Sequence, residues 1–292
     1  MTSSNSNISF RWPTDDLLCW FLRGLAAIAG IVVMFIVGFL VAEALPVLSR
    51  VGLGRFFTDP SWHPAEGFYN LTPMLWGTLF AMAGSVLLAT PLGILSAVFC
   101  HYYAPPMVAR PYRRLIELLA GIPSVVYGFW GLVVLVPLIG EIHPPGPSLF
   151  AGILILAIMI FPTIALMADA SLANVPQHYL RGAAALGLPR WATIQGIVLP
   201  TAKSGLFTGV ILETGRAIGE TMAILMVCGN VVQTPSSIFD PIRTLTANIA
   251  LEMAYALGDH RAALFVSGLV LMAMIVALAI TAEWISRGRI YG

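Results

Sequence analysis

The sequence predicts an all-α polytopic membrane protein whose chain crosses the bilayer six times. Composition is the first reason: 58% of the 292 residues are hydrophobic and 10% are charged, whereas about 25% of the residues in soluble domains are charged. The mean hydropathy of +0.88 points to the same class. The second reason is a set of six apolar segments, each close to the ~20 residues that a helix needs to span the hydrocarbon.

Polar connectors rich in proline and glycine separate the six segments. Their approximate bounds are 24–46, 74–100, 115–139, 149–168, 205–229 and 263–284. The first is too long for the apolar core of a signal peptide and lacks a small-residue cleavage site, so it is predicted to be a retained span. Residues 1–23 are then a cytoplasmic N-terminal tail, and residues 24–292 form one transmembrane domain.

The distribution of Lys and Arg predicts which side of the membrane each connector faces. Ten of these residues fall on one side of the predicted topology, and four fall on the other. The larger set is Arg11, Arg23, Arg110, Arg113, Arg114, Arg181, Arg190, Lys203, Arg287 and Arg289; the smaller set is Arg50, Arg55, Arg243 and Arg261. Since the more basic side faces the cytoplasm, both termini are predicted to lie there.

Several classes of function are excluded by what the sequence lacks. A net charge of +1 does not give the electrostatic footprint of a nucleic-acid-binding protein. Cys19, Cys100 and Cys228 are scattered at different predicted depths, so neither a disulfide framework nor a zinc site is expected. The sequence contains no G-x-x-x-x-G-K-[ST] phosphate loop and no hydrolase motif. We therefore expect no metal, no cofactor and no catalytic residues in this chain.

The fifth apolar segment carries an arginine and a glutamate. Arg216 lies thirteen residues beyond Lys203, which at about 1.5 Å per residue places it roughly 20 Å from that membrane face. An ionised side chain at that depth is expensive unless it is paired or faces a polar cavity, so a role in function is the default interpretation. Two structural alternatives remain: an Arg216–Glu220 pair at i, i+4, or Glu213 as the partner at i, i+3.

The connection from about 169 to 203 is predicted to contain two short helices. Proline after Asn174-Val175 suits a helix start, and Gly187 suits the end of the alanine-rich stretch that precedes it. Pro189 can begin a second helix, which Leu199-Pro200 is expected to end. Such a rigid, folded connection is suited to binding another protein; the alternative is a helix that lies on the membrane surface.

This connection resembles the "EAA" loop of bacterial ABC importer permeases. The family pattern is E-A-A, three residues, G, and later I-x-L-P. Here Arg181-Gly182-Ala183 stands at the first three positions, so arginine replaces the usual glutamate. The resemblance implies that the loop docks a separate ATPase. The residues placed in it are Arg181, Gly182, Ala183, Gly187, Pro189, Arg190, Trp191, Leu199 and Pro200.

Two further stretches resemble the phosphate-specific permeases of the PstC type. They are 117–128, which reads Glu-Leu-Leu-Ala-Gly-Ile-Pro-Ser-Val-Val-Tyr-Gly, and 216–223, followed by Gly229-Asn230. The resemblance implies a type I ABC importer (MetI-like) permease fold in the inner membrane. It also implies four kinds of partner: a second permease (PstA-type), an ATPase dimer (PstB-type), an extracytoplasmic phosphate-binding protein (PstS-type) and phosphate itself.

The resemblance also implies that Arg216 and Glu220 act in phosphate passage, and Glu213 and Thr221 are placed with them. The chemistry is consistent, because the planar fork of an arginine matches an oxyanion. Phosphate near neutral pH keeps a P–O–H that can donate to Glu220, whereas sulfate does not. Two alternatives remain: an ABC permease for phosphonate, sulfate or molybdate, and an ion-coupled secondary carrier that uses Glu213, Arg216 and Glu220 as a relay. The two-helix loop argues against the carrier, which needs no ATPase dock.

Overall fold

A computed structural model describes residues 13–287 of the chain, which fold almost entirely into helices. The helices are α1 Pro13–Val51, α2 Arg55–Thr58, α3 Thr72–Val98, α4 Pro106–Ala120, α5 Ser124–Trp130, α6 Val136–Ile142, α7 Leu149–Ala173, α8 Gln177–Ala185, α9 Arg190–Thr193, α10 Leu199–Gly219, α11 Met222–Val227, α12 Leu245–Glu252 and α13 Gly258–Arg287. Strands β1 Trp62–His63 and β2 Phe68–Tyr69 form a small antiparallel hairpin. Three π-turns, Phe99–Tyr103, Gly131–Leu135 and Ile194–Val198, continue their helices without a break.

Within residues 13–287, six helical stretches are long and apolar enough to cross a bilayer, which confirms the predicted fold class. They are Leu17–Val51, Thr72–Tyr103, Ser124–Ile142, Leu149–Ala173, Arg190–Gly219 and Gly258–Trp284. We call the end of the bundle that carries α4, α8 and α9 the loop end. The opposite end, which carries the β1–β2 hairpin and α12, is the hairpin end.

The third spanning segment begins later than the sequence suggests. Residues 115–120 belong to α4, a separate amphipathic helix at the loop end, and the span itself starts at Ser124. The break falls at Pro123, which has no N–H to donate and which disfavours helical geometry at the residue before it. Arg113 of α4 donates a 2.9 Å hydrogen bond to Asp169 of α7, and this contact holds the pKa of Arg113 above its usual value.

The first spanning helix also differs from its predicted start. It begins at Pro13 instead of residue 24, because a helix can continue past the hydrocarbon into more polar sequence. Residues 1–12 of the predicted tail lie outside the described part of the chain. Every residue from 17 to 36 is exposed, and the second half of α1 packs against α13.

The fifth span departs from expectation at both ends. Its helix starts at Arg190 and runs through Leu199-Pro200 without stopping, so the expected helix end at Leu199-Pro200 is wrong. The π-turn Ile194–Val198 explains this: the wider turn accommodates Pro200, whose ring would clash with a regular α-helical turn before it. At the other end, α10 stops at Gly219 and the chain resumes as α11.

Three apolar clusters hold the bundle together along its length. The central cluster joins α3, α5, α7 and α11, and the others lie at the hairpin end and the loop end. Small residues allow α3 and α7 to approach closely: Gly84 faces the side chain of Ile153, and Gly93 faces that of Ile164. The helix break after Gly219 is therefore supported by a tightly packed core.

Candidate functional site

The break between α10 and α11, where the fifth spanning helix ends at Gly219, brings two charged residues close to two helix ends inside the apolar segment 205–229. Glu220 adopts an extended conformation, with φ −67° and ψ 129°, and Thr221 precedes the first turn of α11. A broken spanning helix leaves backbone N–H and C=O groups without helical partners, and these must be satisfied by side chains, neighbouring helices or a polar cavity. The break is thus a polar site within an apolar helix.

Arg216 lies in the last turn of α10, immediately before this break. Its side chain is 36% exposed, and its Nη1 lies 3.4 Å from Oγ1 of Thr163 on α7. A cation in the last turn is also favoured by the partial negative charge at the C-terminal end of the helix. The guanidinium is held in place at one nitrogen while part of its surface stays accessible.

Glu213 is the nearest acidic partner of Arg216, one turn earlier on α10. It is 5% exposed, and its Oε2 lies 3.7 Å from Nη1 of Arg216, beyond hydrogen-bonding distance. That oxygen makes no hydrogen bond within the described residues. The pair is therefore a long ion pair, and it leaves the arginine fork unsaturated. The structure favours Glu213 over Glu220 as the ion partner, which makes the alternative Arg216–Glu220 pair wrong.

Glu220 is held by contacts with the two helices that follow it. Its Oε1 accepts a 3.1 Å hydrogen bond from the N–H of Ala223, so the carboxylate caps α11. Its backbone carbonyl accepts a 2.8 Å bond from the hydroxyl of Thr246 on α12. Thr221 donates from Oγ1 to the carbonyl of Gly219 at 3.3 Å. The four residues predicted for the pathway are thus gathered at one helix break.

Helix α5 forms the wall on which α11 rests. A Cβ placed on Gly128 would lie 2.7 Å from Cα of Ala223 and 3.0 Å from Sδ of Met226, so only glycine permits this approach. The hydroxyl of the preceding residue, Tyr127, donates to the carbonyl of Leu119 at 2.8 Å across the α4–α5 break. The helices that follow the two breaks, α5 and α11, therefore pack against each other.

The residues predicted for the coupling loop lie at the loop end, away from this break. Helix α8 ends in a Schellman motif, in which the N–H of Leu188 binds the carbonyl of Ala183 and that of Gly187 binds Ala184. Gly187 has φ +68°, a conformation that glycine adopts without strain. Ala183 is buried, and the loop is anchored by the apolar cluster at this end.

The outward face of this loop is apolar and basic. Leu186 is 79% exposed, and Trp191 is 53% exposed. The other exposed members of the predicted set are Arg181, Gly182, Gly187, Pro189, Arg190 and Pro200, while Leu199 is half-buried. Exposed leucine and tryptophan beside two arginines form a surface that a partner protein can cover.

Three contacts at the pathway were not identified from the sequence. Nothing in the sequence around Thr163 and Thr246 indicates that these residues contact Arg216 and Glu220 in the fold. The sequence assigns Arg243 to the less basic side of the membrane without a role; the structure joins it to Glu252 by a 2.6 Å hydrogen bond. A glutamate within the apolar stretch 245–256 was the one available signal for this pair.

Comparison with known proteins assigns the chain to a family. The family described as "Binding-protein-dependent transport system inner membrane component" matches residues 89–291. A probable ABC transporter permease protein of Bacillus subtilis, YqgH, is 38% identical over 241 residues, which cover 80% of this chain and 78% of the relative. The phosphate transport system permease protein PstC of Mesorhizobium japonicum is 35% identical over 258 residues, 81% of this chain and 77% of that protein.

Solved structures agree on the fold. A bacterial alginate ABC transporter chain aligns with a TM-score of 0.65 at 15% identity, covering 94% of this chain and 96% of the other. A chain of the MetNI methionine ABC transporter gives 0.58 at 19% identity, covering 75% and 93%. The chain has the fold of a type I ABC importer permease, and it belongs to the family of binding-protein-dependent transport system inner membrane components.

Proposed function

We propose that this chain forms, together with a second permease, the path by which inorganic phosphate crosses the membrane. The observation that carries the proposal is Arg216: a permanently charged, 36% exposed guanidinium in the last turn of the fifth spanning helix, beside the break that ends it. Its nearest carboxylate, on Glu213, is 3.7 Å away, so it is not saturated by an internal salt bridge. The relatives named PstC support phosphate as the cargo.

Arg216 and Glu220 divide the recognition of phosphate between them. The fork of Arg216 binds two deprotonated oxygens of the anion, which gives charge-assisted hydrogen bonds. Glu220 accepts the hydrogen of a protonated oxygen, while its Oε1 keeps the backbone of α11 in place. An anion without that hydrogen leaves the carboxylate unpaired and is rejected. Thr221 borders the same break, and Glu213 sets the position of Arg216.

Energy for transport comes from a separate ATPase dimer that binds the α8–α9 loop. An extracytoplasmic binding protein delivers phosphate to the hairpin end. The exposed leucine, tryptophan and arginine side chains of the loop support the first contact. Family membership supports the presence of both kinds of partner.

ATP-driven uptake of labelled phosphate into vesicles that contain the reconstituted transporter tests the proposal. Sulfate, molybdate and a phosphonate are added in excess as competitors. Phosphate uptake that resists sulfate and molybdate is the expected result. If one of the competitors is carried instead, the chain is a permease for that oxyanion; uptake that needs an ion gradient and no ATP would place it among secondary carriers.

The proposed contact between the α8–α9 loop and the ATPase can be tested by crosslinking. A photocrosslinker at Trp191 should capture the ATPase subunit, with a yield that changes between ATP-bound and nucleotide-free states, because the side chain is exposed at the rigid end of α9. A crosslinker at Leu138, which is exposed on the membrane-spanning α6, serves as the control and should capture no ATPase. Crosslinks from Trp191 only to lipid would show that the loop lies on the membrane surface.

Both termini are proposed to face the cytoplasm, on the basis of the basic residues at the loop end. In a variant without its native cysteines, a cysteine at Ser61 or Ser237 should react with an impermeant maleimide added outside intact cells. Ser61 belongs to the hairpin end, as does the loop that contains Ser237. A cysteine at Ser204, in α10 near the loop end, should react only after permeabilisation. Labelling of Ser204 from outside would invert the topology.

A further inference from the structure

Helix α12 connects the polar break beside Arg216 with a buried group of side chains at the hairpin end. It has eight residues, Leu245–Glu252, and is anchored through both of its ends. Thr246 and Glu252 are six residues apart, which corresponds to about 9 Å along a helix. The described part of the chain thus contains a short, rigid element with one end at the candidate pathway and the other at the hairpin end.

The inner end of α12 is fixed by buried hydroxyl groups. Thr246, 7% exposed, donates from Oγ1 to the backbone carbonyl of Glu220 at 2.8 Å. Thr244 caps the helix by accepting from the N–H of Ala247, and Oγ1 of Thr78 on α3 accepts from the N–H of Leu245 at 3.1 Å. The bond from Thr246 satisfies a carbonyl that the helix break has freed, so α12 stabilises the extended conformation of Glu220.

The outer end of α12 is fixed by Glu252, which is 8% exposed. Its Oε1 accepts from Nη1 of Arg243 at 2.6 Å. Its Oε2 accepts from Nε1 of Trp62 at 3.0 Å and lies 2.8 Å from Nε2 of His260. One carboxylate therefore joins the β1–β2 hairpin, the loop after α11 and the start of α13.

Arg243 completes the connection. Its Nη1 also donates to Oδ1 of Asn248 on α12 at 3.1 Å, and its Nε donates to the carbonyl of Asn230 at 2.9 Å. Asn230 lies three residues after the end of α11, with φ +56°, and its Nδ2 binds the carbonyl of Leu225. The contacts around Glu252 consequently hold both ends of α11. They reach Asn230 directly through Arg243, and they reach Glu220 through α12.

We propose that α12 is a positioning element which links the buried contacts of Trp62 and Glu252 at the hairpin end to the Glu220 break, so that the packing of the hairpin end controls the geometry of the pathway. The proposal rests on the proposed function for the meaning of the pathway, but the mechanical link stands on the contacts alone. A buried carboxylate held by three side chains from different elements has few alternative arrangements, so displacement of Trp62 moves Glu252 and with it the helix.

Hydrogen–deuterium exchange on the full chain in lipid nanodiscs tests the link without any cargo. Thr246→Val removes the hydroxyl and keeps the shape, and it should accelerate exchange in residues 220–225 about fivefold, the factor that corresponds to the loss of one hydrogen bond of about 1 kcal/mol. Glu252→Gln removes an acceptor at the other end and should accelerate exchange in the same residues and in 62–69. Trp62→Phe, which removes one donor and leaves the carboxylate, should give the same pattern if Glu252→Gln fails to fold.

Asp259→Asn is the matched control. It removes a carboxylate at the same end of the bundle, whose side-chain hydrogen bonds among the described residues go to Arg50 at 3.0 and 3.1 Å and not to Glu252, although the next residue in the chain, His260, contacts Glu252. Exchange in 220–225 should be unchanged. If Thr246→Val accelerates that segment while neither outer variant does, the two ends of α12 move independently and the link is refuted. Equal acceleration by Asp259→Asn would also refute it. Failure of the wild-type transporter to carry phosphate would overturn the proposed function and leave this result standing.

Discussion

Arg216→Ala is expected to reduce phosphate uptake about 100-fold or more in reconstituted vesicles while the protein still folds and assembles. The substitution removes two charge-assisted hydrogen bonds to the anion, each worth roughly 1.5–3 kcal/mol. Arg216→Lys should be intermediate, since it keeps the charge and loses the fork. Initial rates of ATP-driven uptake, normalised to the amount of transporter in the vesicles, give the measurement.

Arg261→Ala provides the control for this experiment. Arg261 also forms a long ion pair, 3.8 Å from Oε2 of Glu43, and lies at the hairpin end away from the break. Its loss should leave uptake unchanged. A purely structural role for Arg216 predicts a different outcome, because the buried carboxylate of Glu213 would lose its only charged neighbour on α10. Reduced yield and stability with normal uptake per assembled transporter would support that role.

Gly128→Ala should destabilise the chain and disturb the pathway together. The new Cβ would lie 2.7 Å from Cα of Ala223, a backbone atom that cannot rotate away, so α5 and α11 must separate. Overpacking of this kind typically costs about 1–3 kcal/mol. Because Ala223 is the residue whose N–H binds Glu220, the same shift lengthens the cap on α11. Denaturation of the isolated chain in mixed detergent micelles would report the loss of unfolding free energy.

Gly215→Ala is the matched substitution. Gly215 lies beside Arg216 in α10, and a Cβ there would meet no atom within 4 Å. Its unfolding free energy should equal or slightly exceed that of the native chain, since alanine favours a helix more than glycine does. If both variants were equally stable, the close approach of α5 to α11 would not be important for packing.

The fold class could be predicted from the sequence because membrane spans are specified by length and hydropathy alone. Six apolar segments required six helices, and the structure agrees. Arg216 could be found for a related reason: a charged side chain within an apolar spanning segment is rare. The bounds of the third and fifth segments could not be predicted, because hydropathy does not distinguish a continuous helix from two that meet at Pro123 or Glu220.

The partners of the site residues depended on tertiary packing, which no periodicity reveals. Thr163 and Thr246 approach Arg216 and Glu220 from α7 and α12, elements 53 and 26 residues away in the chain. The preference of Arg216 for Glu213 followed from the end of α10 at Gly219, which turns Glu220 out of the i, i+4 position. Knowing where the helix ended was necessary for knowing which carboxylate the arginine faced.

The π-turn Ile194–Val198 has a consequence for how the loop end and the pathway are aligned. Each residue of a helix advances the side chains by about 100° around the axis, and a π-turn holds one residue more than an α-turn. The exposed face that carries Trp191 and the face that carries Arg216 are parts of one continuous helical rod. The angle between these two faces about the helix axis therefore depends on one inserted residue, and its deletion would rotate Trp191 by about 100° relative to Arg216.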